Sequence, residues 1–99
     1  MIRRIVKMTF RPDQCEAFEA IFEESKDKIR EFPGCEHLEL WRSRSPETVY
    51  MTYSHWTGEE ALNNYRHSKL FQETWAKTKQ LFADRPQAWS LDITSVPSD

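Results

Sequence analysis

The run Glu36-His37-Leu38-Glu39-Leu40-Trp41-Arg42-Ser43, the linker Arg44-Ser45-Pro46-Glu47 and the run Thr48-Val49-Tyr50-Met51-Thr52-Tyr53-Ser54-His55-Trp56 decide the fold. The first run alternates, with Leu38 and Leu40 on one side and His37, Glu39 and Trp41 on the other. That period of two marks a strand with one buried face. The second run is dense in β-branched and aromatic residues, as strands are. The linker is a turn by composition. A tight hairpin closing Ser43 against Thr48 predicts Leu40 opposite Met51, Leu38 opposite Tyr53 and Glu36 opposite His55, all on one apolar side. Trp41 then meets Tyr50 on the other side.

Upstream, Ile2 to Phe10 alternates as well, with Ile2, Arg4, Val6, Met8 and Phe10 sharing a face. Pro12 suits the first turn of a helix, where its missing N–H costs nothing. Cys15, Phe18, Phe22, Ser25, Ile29 and Phe32 recur at spacings of three and four until Pro33-Gly34 ends the helix. Downstream, Thr57-Gly58-Glu59-Glu60 reads as a capping box. The helix it opens carries Ala61, Leu62 and Tyr65 inward, breaks near His67-Ser68, and resumes through Leu70, Phe71, Trp75, Thr78 and Phe82 to about Ala83. Trp89, Leu91 and Ile93 alternate in a last strand. The order strand, helix, strand, strand, helix, strand is the signature of an α+β ferredoxin-like split βαβ fold (βαββαβ), with both helices on one face of a four-stranded antiparallel sheet.

Such a sheet has an open face, expected here to carry Ile5, Trp41, Tyr50 and Trp56 among Lys7, Glu39, Thr52 and Ser54. Large aromatics on an uncovered sheet signal an interaction surface. A second copy of the same sheet is the economical cover, which predicts a homodimer through the open sheet face. The 99 residues make a single domain, 1–99. Charged residues are 30% of the chain, interspersed, with a net charge of −2, so no clustered basic face points to nucleic acid. No apolar run reaches membrane-span length, and no signal peptide is evident. Cys15 and Cys35 lack the close spacing of a zinc or redox pair and read as buried reduced thiols, which fits a cytoplasmic protein.

The stretch Trp56-Thr57-Gly58-Glu59-Glu60-Ala61-Leu62 with Tyr65, Ser68 and Phe71, and Phe32-Pro33-Gly34-Cys35 before the second strand, resembles the antibiotic-biosynthesis monooxygenase family of dimeric α/β barrels. The resemblance extends over roughly residues 2 to 95. It implies a homodimer with a pocket between sheet and helices in each subunit. It also implies oxygenation of a small aromatic or quinol-like metabolite without a cofactor or metal, because an ionised phenol can itself give an electron to oxygen. No dinucleotide or phosphate loop occurs in the chain. Haem-degrading relatives use an Asn on the first strand and a Trp and a His on the second helix. Here Ile2–Phe10 holds no Asn, and Tyr65 and Trp75 take the other two positions.

His67 at the helix break is the candidate proton carrier, because imidazole changes charge near neutral pH; as a bland alternative it is a solvated helix-end residue. Tyr65 and Trp75 join it as catalytic candidates, and Tyr53, His55 and Phe71 as substrate-binding ones. All five are equally readable as core, with His55 bonded to Glu36 across the hairpin. His37-x-Glu39 is too small a fragment to specify a metal site. Arg42 on the apolar side of its strand either binds an anion or snorkels to water. The functional alternatives are a non-catalytic dimeric binding or stress-associated protein, and a lyase or isomerase with His67 as proton carrier.

Overall fold

Strand β1, Ile2–Thr9, lies inside a four-stranded sheet in the order β2-β3-β1-β4, where β2 is Cys35–Arg42, β3 is Val49–Trp56 and β4 is Gln87–Leu91. Every neighbouring pair is antiparallel. The computed structural model describes residues 1–98; Asp99, the last residue of the expected domain, lies outside them. A 3-10 turn, Pro12–Gln14, leads into helix α1, Cys15–Arg30. Helices α2, Glu59–Arg66, and α3, Lys69–Lys79, follow β3. All three cover one face of the sheet, as the βαββαβ order predicts. Among the described residues no helix is long and apolar enough to cross a membrane.

The buried residues form two clusters on that covered face. One gathers Met8, Phe10, Cys15, Phe18 and Tyr50; the other gathers Cys35, Trp56 and Leu62. Phe10 stacks on Phe18 with ring centroids 4.2 Å apart and meets the edge of Tyr50 at 5.6 Å. Burying a side chain of Phe size contributes about 1.5–3 kcal/mol. The α1 periodicity is therefore met: Cys15, Phe18, Ser25 and Ile29 are all buried.

The hairpin register differs from the expected one by a residue. His37 pairs with His55, Leu38 with Ser54, Glu39 with Tyr53, Leu40 with Thr52, Trp41 with Met51 and Arg42 with Tyr50. Two local causes account for it. At the turn the Ser43 N–H donates to the Val49 carbonyl at 2.8 Å, while the Thr48 carbonyl is taken by the Phe10 N–H at 3.0 Å. At the other end the ladder shifts between Cys35 and His37, leaving Glu36 as the extra residue of a bulge. Shifting one strand by one residue exchanges the faces of its side chains. Tyr50 and Trp56 are thus core residues, each 1% exposed, rather than open-face ones. Tyr53 and His55 lie on the open face rather than beneath the helices.

That open face carries Arg3, Ile5, His37, Glu39, Trp41, Met51, Tyr53, His55, Trp89 and Leu91. Trp41 stacks on Tyr53 at 4.7 Å and donates its N–H to Glu39 at 2.8 Å. Trp41, Trp89 and Leu91 are each at least 40% exposed, an apolar patch of the kind expected from the patterning. Strand β4 ends at Leu91, so Ile93 falls beyond it.

The expected capping box does not form. The helix begins at Glu59 behind Gly58, with no side-chain cap. The Thr57 N–H is held instead by the Gly34 carbonyl at 2.9 Å, which ties Thr57 to the end of the α1 connection. The second expected cap is present: Ser68 accepts from the Phe71 N–H at 3.1 Å and starts α3. That helix ends at Lys79, short of Ala83, and Phe82 bridges to Phe10 in a turn.

Candidate functional site

A cavity of about 420 Å³ opens between the helices and the covered face of the sheet, bordered by both core clusters. Its volume lies within the range of about 300–1,000 Å³ usual for small-molecule sites. Its floor comes from the inward positions of β1 and β3, including Arg4, Val6, Thr52 and Ser54; α2 contributes Tyr65 and Arg66, the break after it His67, and α3 Phe71 and Trp75.

The aromatic wall is continuous. Tyr65 stacks on Trp56 at 4.8 Å and meets the edge of Phe71 at 5.2 Å; Phe71 lies nearly parallel to Trp75 at 5.7 Å. Phe71 and Trp75 stand four apart, one helical turn, so their rings fall on the same face of α3. Burial pushes the Tyr65 phenol well above the ordinary tyrosine range, with the Cys35 thiol adding to the effect. Tyr65 therefore presents a neutral hydroxyl, a donor and acceptor rather than a phenolate.

The break between α2 and α3 places His67 at the rim of the cavity, where the residue is exposed. The Ser68 hydroxyl donates to the Tyr65 carbonyl at 2.6 Å while accepting from the Phe71 N–H, so one side chain closes one helix and opens the next. The His67 Nδ1 donates to the Asn63 carbonyl at 2.8 Å. A neutral imidazole held through Nδ1–H keeps its lone pair on Nε2, the nitrogen able to take a proton. Three other polar side chains in the lining are already engaged. Ser25 donates to the Ile21 carbonyl at 2.9 Å, Thr78 to the Thr74 carbonyl at 2.8 Å, and Ser54 accepts from the Trp56 N–H at 3.0 Å.

Four expected site residues, His67, Tyr65, Trp75 and Phe71, thus line one cavity. Tyr53 and His55 do not: the register places them on the opposite side of the sheet, a correction to their assignment as substrate-binding residues. His55 is not bonded to Glu36. Its Nδ1 accepts from the Arg3 guanidinium, and its Nε2 is buried without a hydrogen-bond partner. Burial, then the charges of Arg3 and His37, push its pKa down, so the ring is neutral. His37 bonds to Glu39, whose carboxylate is held below the usual range by the Trp41 and His37 hydrogen bonds. Arg42 neither lines the cavity nor stands alone: it donates to the Glu47 carbonyl at 2.7 Å, approaches Glu19 at 3.4 Å and lies over the Tyr50 ring. Both cysteines are free and buried, and burial pushes the Cys35 thiol up. No group of three His, Cys, Asp or Glu side chains among the described residues is placed to hold a metal ion.

Arg4 and Arg66 are the lining residues that the sequence reading left without a role. For Arg4 the signal was present, because it shares the inward alternation of Val6 and Met8. For Arg66 there was none, since an arginine near a helix end reads as a solvated charge.

The model of the antibiotic biosynthesis monooxygenase family matches residues 1–77. No curated protein matches the chain. Among solved structures, one described as an antibiotic biosynthesis monooxygenase superposes with a TM-score of 0.88 at 16% identity, covering 98% of this chain and 100% of its own. Rv0793 from Mycobacterium tuberculosis gives 0.87 at 20% identity, with 98% of each chain covered. A conserved protein from Methanosarcina mazei Go1 gives 0.87 at 14% identity, covering 91% of this chain and 89% of its own. At such identities these structures speak for the fold; the match over residues 1–77 speaks for the family. This chain belongs to the antibiotic biosynthesis monooxygenase family.

Proposed function

We propose that the cavity binds a small aromatic, quinol-like molecule and promotes its oxygenation without a cofactor. The observation that carries this reading is the continuous wall of Trp56, Tyr65, Phe71 and Trp75 beside an imidazole whose Nε2 is the free nitrogen. His67 Nε2 takes the phenolic proton. The electron-rich phenolate then passes an electron to oxygen, and the two radicals combine at a ring carbon that bears hydrogen. The peroxide so formed takes the proton back from His67 and loses water to leave a carbonyl, the substrate supplying all the electrons. Tyr65, kept neutral, hydrogen-bonds a substrate oxygen. The aromatic wall orients the ring and excludes water, which strengthens each polar contact inside. An open cavity supports this reading over that of a non-catalytic protein with a filled interior.

The partner proposed for the open face is a second copy of the chain. Arg3 and Lys7 stand on it with Glu39, so both signs are available to a two-fold contact, while Trp41, Trp89 and Leu91 supply its apolar area.

Oxygen uptake with a simple hydroquinone and an anthrone-like compound tests the reading. His67→Ala is expected to lower the rate by about 10²–10⁴-fold, the usual contribution of a positioned base, and Trp75→Ala to weaken substrate binding. Rates unchanged in both variants would overturn it.

A further inference from the structure

Arg4 and Arg66 are the lining residues with a permanent charge, and no Asp or Glu joins them. Among the described residues neither has a carboxylate within the 4.0 Å of an ion pair. Arg4 is half-buried on the inner side of β1 and donates to the Ser90 hydroxyl at 3.0 Å. A guanidinium has five donors, so that single bond leaves most of them unused. Both residues line the same cavity, and burial, with the charge of Arg66 as a smaller cause, pushes the Arg4 pKa down.

The other end of the same sheet face shows the contrast. Arg42 there lies between Glu19 and Glu47 and over the Tyr50 ring. One inward arginine is neutralised by the protein, and the other faces a cavity beside a second arginine. A half-buried guanidinium that faces a like charge and has no counter-ion is costly, and an anion bound there offsets the cost.

We propose that the cavity's ligand is an aromatic oxyanion: a flat ring against Phe71 and Trp75 with an acidic group, a carboxylate by preference, on the guanidinium groups of Arg4 and Arg66. Guanidinium binds carboxylate through paired, in-plane hydrogen bonds, and a phosphate ester offers related chemistry. This inference rests on the aromatic-cavity reading and narrows it to substrates that carry their own negative charge away from the reacting ring position.

Equilibrium binding of 2-naphthoate, 2-naphthamide and 2-naphthyl phosphate, followed by quenching of tryptophan fluorescence, tests it in the full-length protein. The acid is expected to bind about tenfold or more tighter than the amide, with an advantage that shrinks as salt rises. Arg4→Gln and Arg66→Gln should each reduce that preference while leaving amide affinity in place. Arg66 is exposed at a helix end, so its replacement leaves the core intact and supplies the test should Arg4→Gln unfold. Equal binding of acid and amide, or a preference that survives in both variants, overturns the inference and leaves the aromatic cavity standing. Failure of all three compounds to bind removes the aromatic cavity and the inference with it. Phosphate bound more tightly than carboxylate would keep the oxyanion and overturn the carboxylate preference.

Discussion

Gly34 and Ala61 approach so closely that a Cβ built on Gly34 would lie 2.3 Å from the Ala61 Cβ, and 3.0 Å from the Thr57 hydroxyl. The same glycine has a φ of +92°, where a side chain is strained. Two independent penalties therefore fall on one substitution. Gly34→Ala is expected to lose about 2–4 kcal/mol of stability, from backbone strain and overpacking together, seen as a lower midpoint in urea unfolding. Gly58, with nothing within 4 Å of such an atom and an extended φ, is the control; Gly58→Ala should cost much less.

Ser68 joins α2 to α3 and fixes the approach of His67 to the cavity. Ser68→Ala removes a helix cap and is expected to cost about 1 kcal/mol. Activity should fall further than folding does, because the imidazole loses its placement. Ser68→Asp can still accept from the Phe71 N–H, so it should recover stability; thermal unfolding and oxygen uptake measured on the same samples separate the two effects.

Tyr50 and Tyr65 share a consequence at high pH. Burial raises both phenols; for Tyr50 the hydrogen bond to Glu19 and that residue's charge add to the shift. In the folded protein they hold their protons where the unfolded chain, with phenol pKa near about 10, releases them. Stability contributed by the protonated forms is complete below that value and is lost as pH rises above it. Denaturant midpoints should therefore decline above about pH 10. In a Tyr53→Phe variant the absorbance of phenolate should appear only with unfolding. Phenolate formation in the ordinary range with the fold intact would contradict the burial of both rings.

On the open face, Trp89 is 42% exposed and pairs across β1 and β4 with Ile5. Trp89→Glu is expected to yield a monomer by light scattering at micromolar concentration while circular dichroism stays unchanged. A wild-type chain that is already monomeric under these conditions would remove the dimer proposal.

Much of this was readable from residue order. Phe18, Ser25 and Ile29 announced α1 by their spacing, and Ser68 announced the restart that brings His67, Phe71 and Trp75 together. Tyr53 and His55 were not placeable in the same way. Their strand is aromatic on both sides, so its patterning is compatible with either register, and the deciding events are a carbonyl claimed by Phe10 and an extra residue at Glu36. Arg4 was legible in position but not in meaning. An inward arginine becomes informative only when the acids that would neutralise it prove to be elsewhere, and that is a property of three-dimensional neighbours.

The bulge at Glu36 has a bearing on how related chains are compared. Cys35 and Leu38 turn the same way although they stand three positions apart, so the ladder can lose one residue at Glu36 without moving any side chain through the sheet. Length variation between homologues is best tolerated at that point. An alignment that opens its gap within Leu38–Arg42 instead would equate dry positions with wet ones between Glu36 and the gap.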